Sequence, residues 1–130
     1  MIICDTHVLV FDALAPARLS ARARRLIREG EQQGRLACAD KSLWDIAMLA
    51  SRGRITVPVD TGIFIQTVLD ARAYRVLPIT AEVAALSQSA QIPQKDPADR
   101  LIAATALAYG AQMLSADLGM KKIPQLRVVW

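Results

Sequence analysis

The sequence predicts an α/β protein built on an open, mostly parallel sheet of four or five strands with helices on both faces. Short apolar runs alternate along the chain with longer helical segments, and such alternation makes each connection between strands a helical crossover, which enforces parallel pairing. Hydrophobic residues make up 53% of the chain and aromatic residues only 5%. That balance suits helices packed on a sheet better than two sheets packed on each other. Caps and glycines also recur at the expected helix ends. With 130 residues, the chain fits one domain, residues 1–130, large enough to bury a core without disulfides or a structural metal.

Met1-Ile2-Ile3-Cys4 reads as the first strand, stopped by Asp5-Thr6, and His7 to Leu14 as a brief helix carrying Val8, Leu9, Val10 and Phe11. Leu19-Ser20 opens a second helix that runs to about Gln33 and is closed by Gly34. Arg18, Arg22 and Arg25, with Arg24 and Arg28 alongside, make one flank of it basic. Such a flank reads first as a solvated face and second as a nucleic-acid footprint. Arg35 to Ala39 is the next strand. Asp40-Lys41-Ser42 leads from it into a helix from Leu43 to about Arg52, in which Leu43, Ile46, Ala47 and Ala50 form the apolar stripe and Trp44 is expected to pack.

Pro58 breaks the chain, and Asp60 to about Ala73 forms a fourth helix through Ile63, Phe64, Thr67, Val68 and Ala71. Tyr74 to Leu77 is a third strand ended by Pro78, after which Thr80 caps a helix through Glu82, Val83 and Leu86. Asp96 then suits an N-cap, Pro97 the first helical position, and Gly110 the left-handed residue that closes the helix. Leu101, Ile102, Ala103, Ala104, Ala106, Leu107 and Ala108 leave that helix almost no polar face, so it is expected to lie buried. Gln112 to Ser115 is a fourth strand, followed by Ala116-Asp117, and Leu126 to Val129 is a possible fifth.

Cys4 and Cys38 both sit in apolar runs, and His7 is the sole histidine. No zinc-ligand set is available, and the cysteines are expected to be buried thiols in a reducing compartment. No stretch approaches the ~20 apolar residues of a membrane span, and no basic segment followed by an apolar core marks the N-terminus. A cytoplasmic protein with no membrane role is expected. The balance of 16 Lys plus Arg against 12 Asp plus Glu gives a net charge of +4, which permits a polyanionic partner without requiring one. A single histidine so near the N-terminus offers no plausible serine or cysteine triad.

In a parallel sheet every strand ends at the same edge, and the helix that follows starts there, so ligands bind in the crevice along that edge. Asp5, Asp45, Asp99 and Asp117 would all lie there. Each also has an ordinary use: Asp5 as a cap, Asp45 as partner to Ser42 in a capping box, and Asp99 as an acid favoured in a first helical turn. Two unit charges ~4 Å apart at an effective dielectric of ~20 repel by roughly 4 kcal/mol, so four carboxylates in one crevice call for protons or cations. Mg²⁺ or Mn²⁺ prefers such hard oxygen ligands and completes its shell with water and phosphate oxygens.

With these residues assembled, the chain resembles the PIN-domain nucleases, and among them the toxin half of VapBC toxin–antitoxin pairs. The resemblance covers nearly the whole chain. It rests on Ile2-Ile3-Cys4-Asp5-Thr6-His7-Val8-Leu9-Val10, Ser42-Leu43-Trp44-Asp45-Ile46-Ala47, Leu77-Pro78-Ile79-Thr80, Asp96-Pro97-Ala98-Asp99-Arg100-Leu101-Ile102-Ala103 and Leu114-Ser115-Ala116-Asp117, taken in that order. It implies a PIN-like α/β/α sandwich that cleaves RNA with Mg²⁺ or Mn²⁺ held by an acidic quartet at Asp5, Asp45, Asp99 and Asp117. It further implies a homodimer held inactive by a VapB-like antitoxin. Asp96 is a cap with an outer role at the metal, and Thr6 and Ser115 match positions where a hydroxyl steadies the acids. Arg100 reads as structural, bracing the acids near the helix start. One departure stands out: the family usually has Glu where this chain has Asp45, a carboxylate one methylene shorter.

Two related chemistries fit less well. A phosphoacceptor receiver domain pairs two acids after the first strand, where this chain has Asp5 followed by Thr6, and a haloacid-dehalogenase phosphatase needs an aspartate where this chain has His7. The remaining alternative is a catalytically weak or inactive PIN-fold binding module that holds RNA or a protein partner, and Asp45 in place of Glu favours it.

Overall fold

A computed structural model describes residues 1–130. Five strands form one sheet: β1 (Ile2–Cys4), β2 (Leu36–Ala39), β3 (Arg75–Leu77), β4 (Gln112–Leu114) and β5 (Val128–Val129). Their order is β3-β2-β1-β4-β5, and every pairing is parallel. The helices are α1 (Thr6–Leu14), α2 (Ala21–Gln32), α3 (Asp40–Ser51), α4 (Thr61–Ala71), α5 (Ala81–Ser87) and α6 (Pro97–Ala108). The expected mostly parallel sheet of four or five strands is thus wholly parallel, with β5 reduced to two paired residues.

Successive strand residues face opposite sides of the sheet, and this divides the core in two. Ile2, Cys4, Leu36, Cys38 and Leu114 face one side, against Val8, Leu9, Ile27, Ile46, Phe64 and Val68 of α1 to α4. Ile3, Ala37, Ala39, Leu77 and Met113 face the other, against Val83 of α5 and Ile102, Ala103 and Ala106 of α6. Strands covered on both faces need no polar alternation, which is why they read as unbroken apolar runs. Arg72 fastens α4 to the first layer: its guanidinium donates to Asp12 of α1 at 2.5 and 2.9 Å and to Glu31 of α2 at 2.7 Å.

Three expectations are corrected. The third helix begins at Asp40 rather than Leu43, and Ser42 lies inside it with its hydroxyl buried and unbonded, so Ser42 and Asp45 form no capping box. Trp44 does not pack into the core; it is 55% exposed, with the Lys41 ammonium 3.7 Å from its ring centre. Arg100 does not brace acids. Its guanidinium donates to the carbonyls of Ser87, Ser89, Ile92 and Gln94, so it fixes the loop that leads into Asp96.

The chain runs from β1 outward to β2 and β3, then returns over the opposite face through α5 and α6 to β4, on the other side of β1. The winding therefore reverses between β1 and β4. At the C-terminal ends of those two strands the connections diverge, and a crevice opens there.

Candidate metal and phosphodiester site

Asp5 follows β1 directly and caps α1, accepting the Val8 N–H on Oδ1 at 2.9 Å. Its Oδ2 accepts the hydroxyl of Ser115, the residue after β4. The same Ser115 oxygen accepts the Asp117 N–H at 3.1 Å, and Asp117 Oδ1 accepts the Gly119 N–H at 2.8 Å. One buried hydroxyl thus joins the two acids across the point where the winding reverses. From the α1 start, Thr6 Oγ1 donates to Asp45 Oδ2 of α3 at 3.0 Å. Losing either hydroxyl would strip a hydrogen bond from a buried carboxylate, at about 1–3 kcal/mol.

Asp99 differs from these. Asp96 caps α6 by accepting the Asp99 N–H on Oδ2 at 3.1 Å. The Asp99 carboxylate does not return the bond, so only half of a capping box forms. It is partly buried and accepts no hydrogen bond from any other group in the protein. Burial pushes its pKa from the ordinary 3.8 to about 6, with the charges of Asp96, Asp117, Asp5 and Asp45 adding in the same direction. Burial likewise raises Asp5 against the lowering effect of its Ser115 and Val8 hydrogen bonds, and raises Asp45 against that of Thr6. Burial and neighbouring negative charge both favour the neutral form of these carboxyls, and a cation in the cleft would act against both.

All five acids, Asp5, Asp45, Asp96, Asp99 and Asp117, line one cleft of about 520 Å³. No three of them stand close enough together to enclose an ion as they are. Four of the five are turned toward hydrogen-bond donors of their own. The donor chemistry nevertheless fits a hard divalent ion, being all oxygen, negatively charged and partly desolvated. The rest of the wall is made of residues that sequence reasoning did not assign to the site, among them His7, Phe11, Met48 and Arg54. For Arg54 one signal was available: Gly53 marks the end of the helix that carries Asp45.

Comparison with known proteins identifies the family and the fold. The family model described as "PIN domain" matches residues 2–126. Ribonuclease VapC22 of Mycobacterium tuberculosis is 31% identical over 134 residues, covering 99% of this chain and 98% of that protein. Among solved structures, VapBC2 from Rickettsia felis, bound to a DNA fragment from its promoter, matches with a TM-score of 0.71 at 16% identity over 99% of this chain and 98% of that one. FitAcB from Neisseria gonorrhoeae matches with a TM-score of 0.69 at 20% identity over 100% of this chain and 97% of that one. At such identities the two structures speak for the fold alone.

Proposed function

The chain belongs to the PIN-domain family, as a homologue of VapC-type ribonucleases, and we propose that it is a metal-dependent endoribonuclease acting as the toxin of a toxin–antitoxin pair. The observation that carries this reading is Asp99, a carboxylate left without a donor among four other acids and lifted to a pKa of about 6.

Asp5, Asp45, Asp99 and Asp117 would hold Mg²⁺ or Mn²⁺, which when bound generates hydroxide from water and offsets charge on the leaving oxygen of a phosphodiester. The protein's own groups prepare that place. Ser115 orients Asp5 and the backbone of Asp117, Thr6 orients Asp45, and Asp96 caps α6 so that Asp99 is presented on its first turn. Arg100 holds the loop before Asp96 by four carbonyls, which fixes where α6 begins. Ile102 and Leu49 close the floor of the cleft with apolar surface, which strengthens every charge interaction above it.

The partners follow from the same reading. Solved relatives include a toxin–antitoxin complex from Klebsiella pneumoniae, with a TM-score of 0.64 and 15% identity over the whole of this chain, and an antitoxin is proposed here too. Large exposed apolar side chains, Trp44, Ile63 and Leu118, supply surface for that partner and for a second copy in a homodimer. No helix is long and apolar enough to cross a membrane, in keeping with a proposed cytoplasmic location. Co-expression with the adjacent small reading frame should give a stable complex with suppressed cleavage. Two chains that purify apart and do not bind each other would overturn the toxin assignment.

The binding-module alternative is favoured by Asp45, short for its position. Asp45→Asn should weaken metal binding and cleavage together, and Asp45→Glu should preserve or improve both. Because no capping box forms, neither effect can be assigned to helix stability. Calorimetric titration of Mn²⁺ into the three proteins checks this, and equal affinities across them would remove Asp45 from the site and favour the non-catalytic module.

A further inference from the structure

We propose that Arg54, with the exposed ring of His7, is a substrate-holding wall of the cleft: Arg54 takes a phosphate flanking the scissile one, and His7 carries the base of an unpaired nucleotide. This rests on the ribonuclease reading above and names residues that reading does not use.

Arg54 is placed by the way α3 ends. Gly53 adopts a left-handed φ of 67°, the Gly53 N–H donates to the carbonyl of Ala50, and the Arg54 N–H donates to that of Leu49 at 2.9 Å. This pair of bonds is the Schellman closure, which fixes the path of the residue after the glycine. The backbone of Arg54 is thereby tied to the same helix that carries Asp45. Its side chain lines the acidic cleft and is the one cationic side chain that does. It forms no ion pair and donates no side-chain hydrogen bond; the guanidinium groups that do so belong to Arg35, Arg72 and Arg100. An exposed guanidinium on the wall of this cleft, bonded to none of its five carboxylates, remains free to bind an anion from solution. A phosphate oxygen is the anion that fits such a fork.

The same cleft carries a ring surface. His7 and Phe11 are four residues apart on α1, so they share a face of the helix, and both line the cleft with ring centres 6.0 Å apart. The Arg18 guanidinium sits 4.2 Å from the Phe11 ring centre, which occupies one face of Phe11. His7 is exposed at the cleft edge. A base can stack on such a ring only when it is free of its own neighbours, so this wall suits unpaired RNA and not a duplex. Phosphate held by Arg54 and base held by His7 would set one nucleotide beside the acids.

The test is binding, read separately from cleavage. Fluorescence anisotropy of a labelled single-stranded RNA is measured on Asp99→Asn protein with and without a second change, across a series of salt concentrations. Arg54→Ala should weaken binding about tenfold and reduce the salt slope by about 0.7, the loss of one single-strand phosphate contact. Arg54→Lys should restore the slope. His7→Ala should weaken binding about fivefold with the slope unchanged, as expected for a lost stack. A duplex of the same sequence should compete poorly. In the otherwise native protein the Arg54→Ala effect should fall on KM, with kcat within about twofold.

Unchanged affinity and slope in Arg54→Ala would overturn the proposal. So would tighter Mn²⁺ binding in Arg54→Ala with unaltered RNA binding, because Arg54 would then serve only to offset the acids. Effective competition by the duplex would overturn the unpaired-strand part. Failure of the native protein to cleave any RNA would instead count against the ribonuclease reading, and the binding series would still decide the role of Arg54.

Discussion

Asp99→Asn should lower RNA cleavage by at least about 10²-fold, the scale on which losing a group that stabilises developing charge reduces turnover, and should leave the metal-free protein more stable at neutral pH. The second half follows from the raised pKa. Between the ordinary value of 3.8 and the folded value of about 6, the folded protein keeps a proton on Asp99 that the unfolded chain has released. Stability contributed by this group therefore falls as pH rises through that window, and the full penalty is present above it. The shift corresponds to roughly 3 kcal/mol at most, and partial solvent exposure reduces it to about 1–2 kcal/mol. Asparagine removes the charge and with it the penalty. A helix-dipole role gives the opposite sign, a loss of a few tenths to about 1 kcal/mol. Urea denaturation of both proteins at pH 4.5 and pH 7.5, without metal, separates the two. The variant should gain at the higher pH and gain only about a third as much at the lower, which lies near the foot of that window.

Mn²⁺ should raise the melting temperature of the native protein by about 10 °C when present at about a hundred times its dissociation constant. An ion that binds only the folded state at that excess contributes about 2.7 kcal/mol, and each kcal/mol shifts the midpoint of a domain of this size by about 3–5 °C. The mechanism is the converse of the first case: the ion neutralises the carboxylates whose ionisation the cleft opposes. Chelator should return the midpoint to its starting value, and Asp99→Asn should show a much smaller rise. A melting temperature indifferent to Mn²⁺ would contradict the assignment of these acids as ligands.

The parts of this molecule that could be read from the sequence are those set by local chemistry. Asp5 and Asp117 each follow an apolar run that can only be a buried strand, and Asp96-Pro97 announces a helix start, so placing these acids and Asp99 at one edge needed no more than parallel topology. Gly34 and Gly110 were expected to close helices, and each has positive φ, as does Gly53 after α3. Asp45 was harder, because it lies in the second turn of a helix whose start carries no side-chain cap. Without that cap the helix was expected to begin at Leu43, and Ser42 resembled a cap it is not.

What could not be read depends on how helices lie across one another. That Thr6 meets Asp45, 39 residues away, or that Arg54 and His7 face one cleft, follows from the packing of α1 on α3. Periodicity within either helix does not report it. Trp44 shows the same limit. Its neighbours Leu43 and Ile46 pack against the first core layer, but the turn of α3 that carries Trp44 has no element over it, and Lys41 covers the ring instead.

The most direct test is cleavage of a mixed pool of single-stranded RNA by the purified, antitoxin-free protein. Mg²⁺ or Mn²⁺ should produce cleavage that chelator abolishes, that returns when excess metal is added back, and that is absent in Asp99→Asn. Cleavage of equal rate in chelator, or equal rate in the native protein and Asp99→Asn, would contradict a metal-dependent site built on these acids.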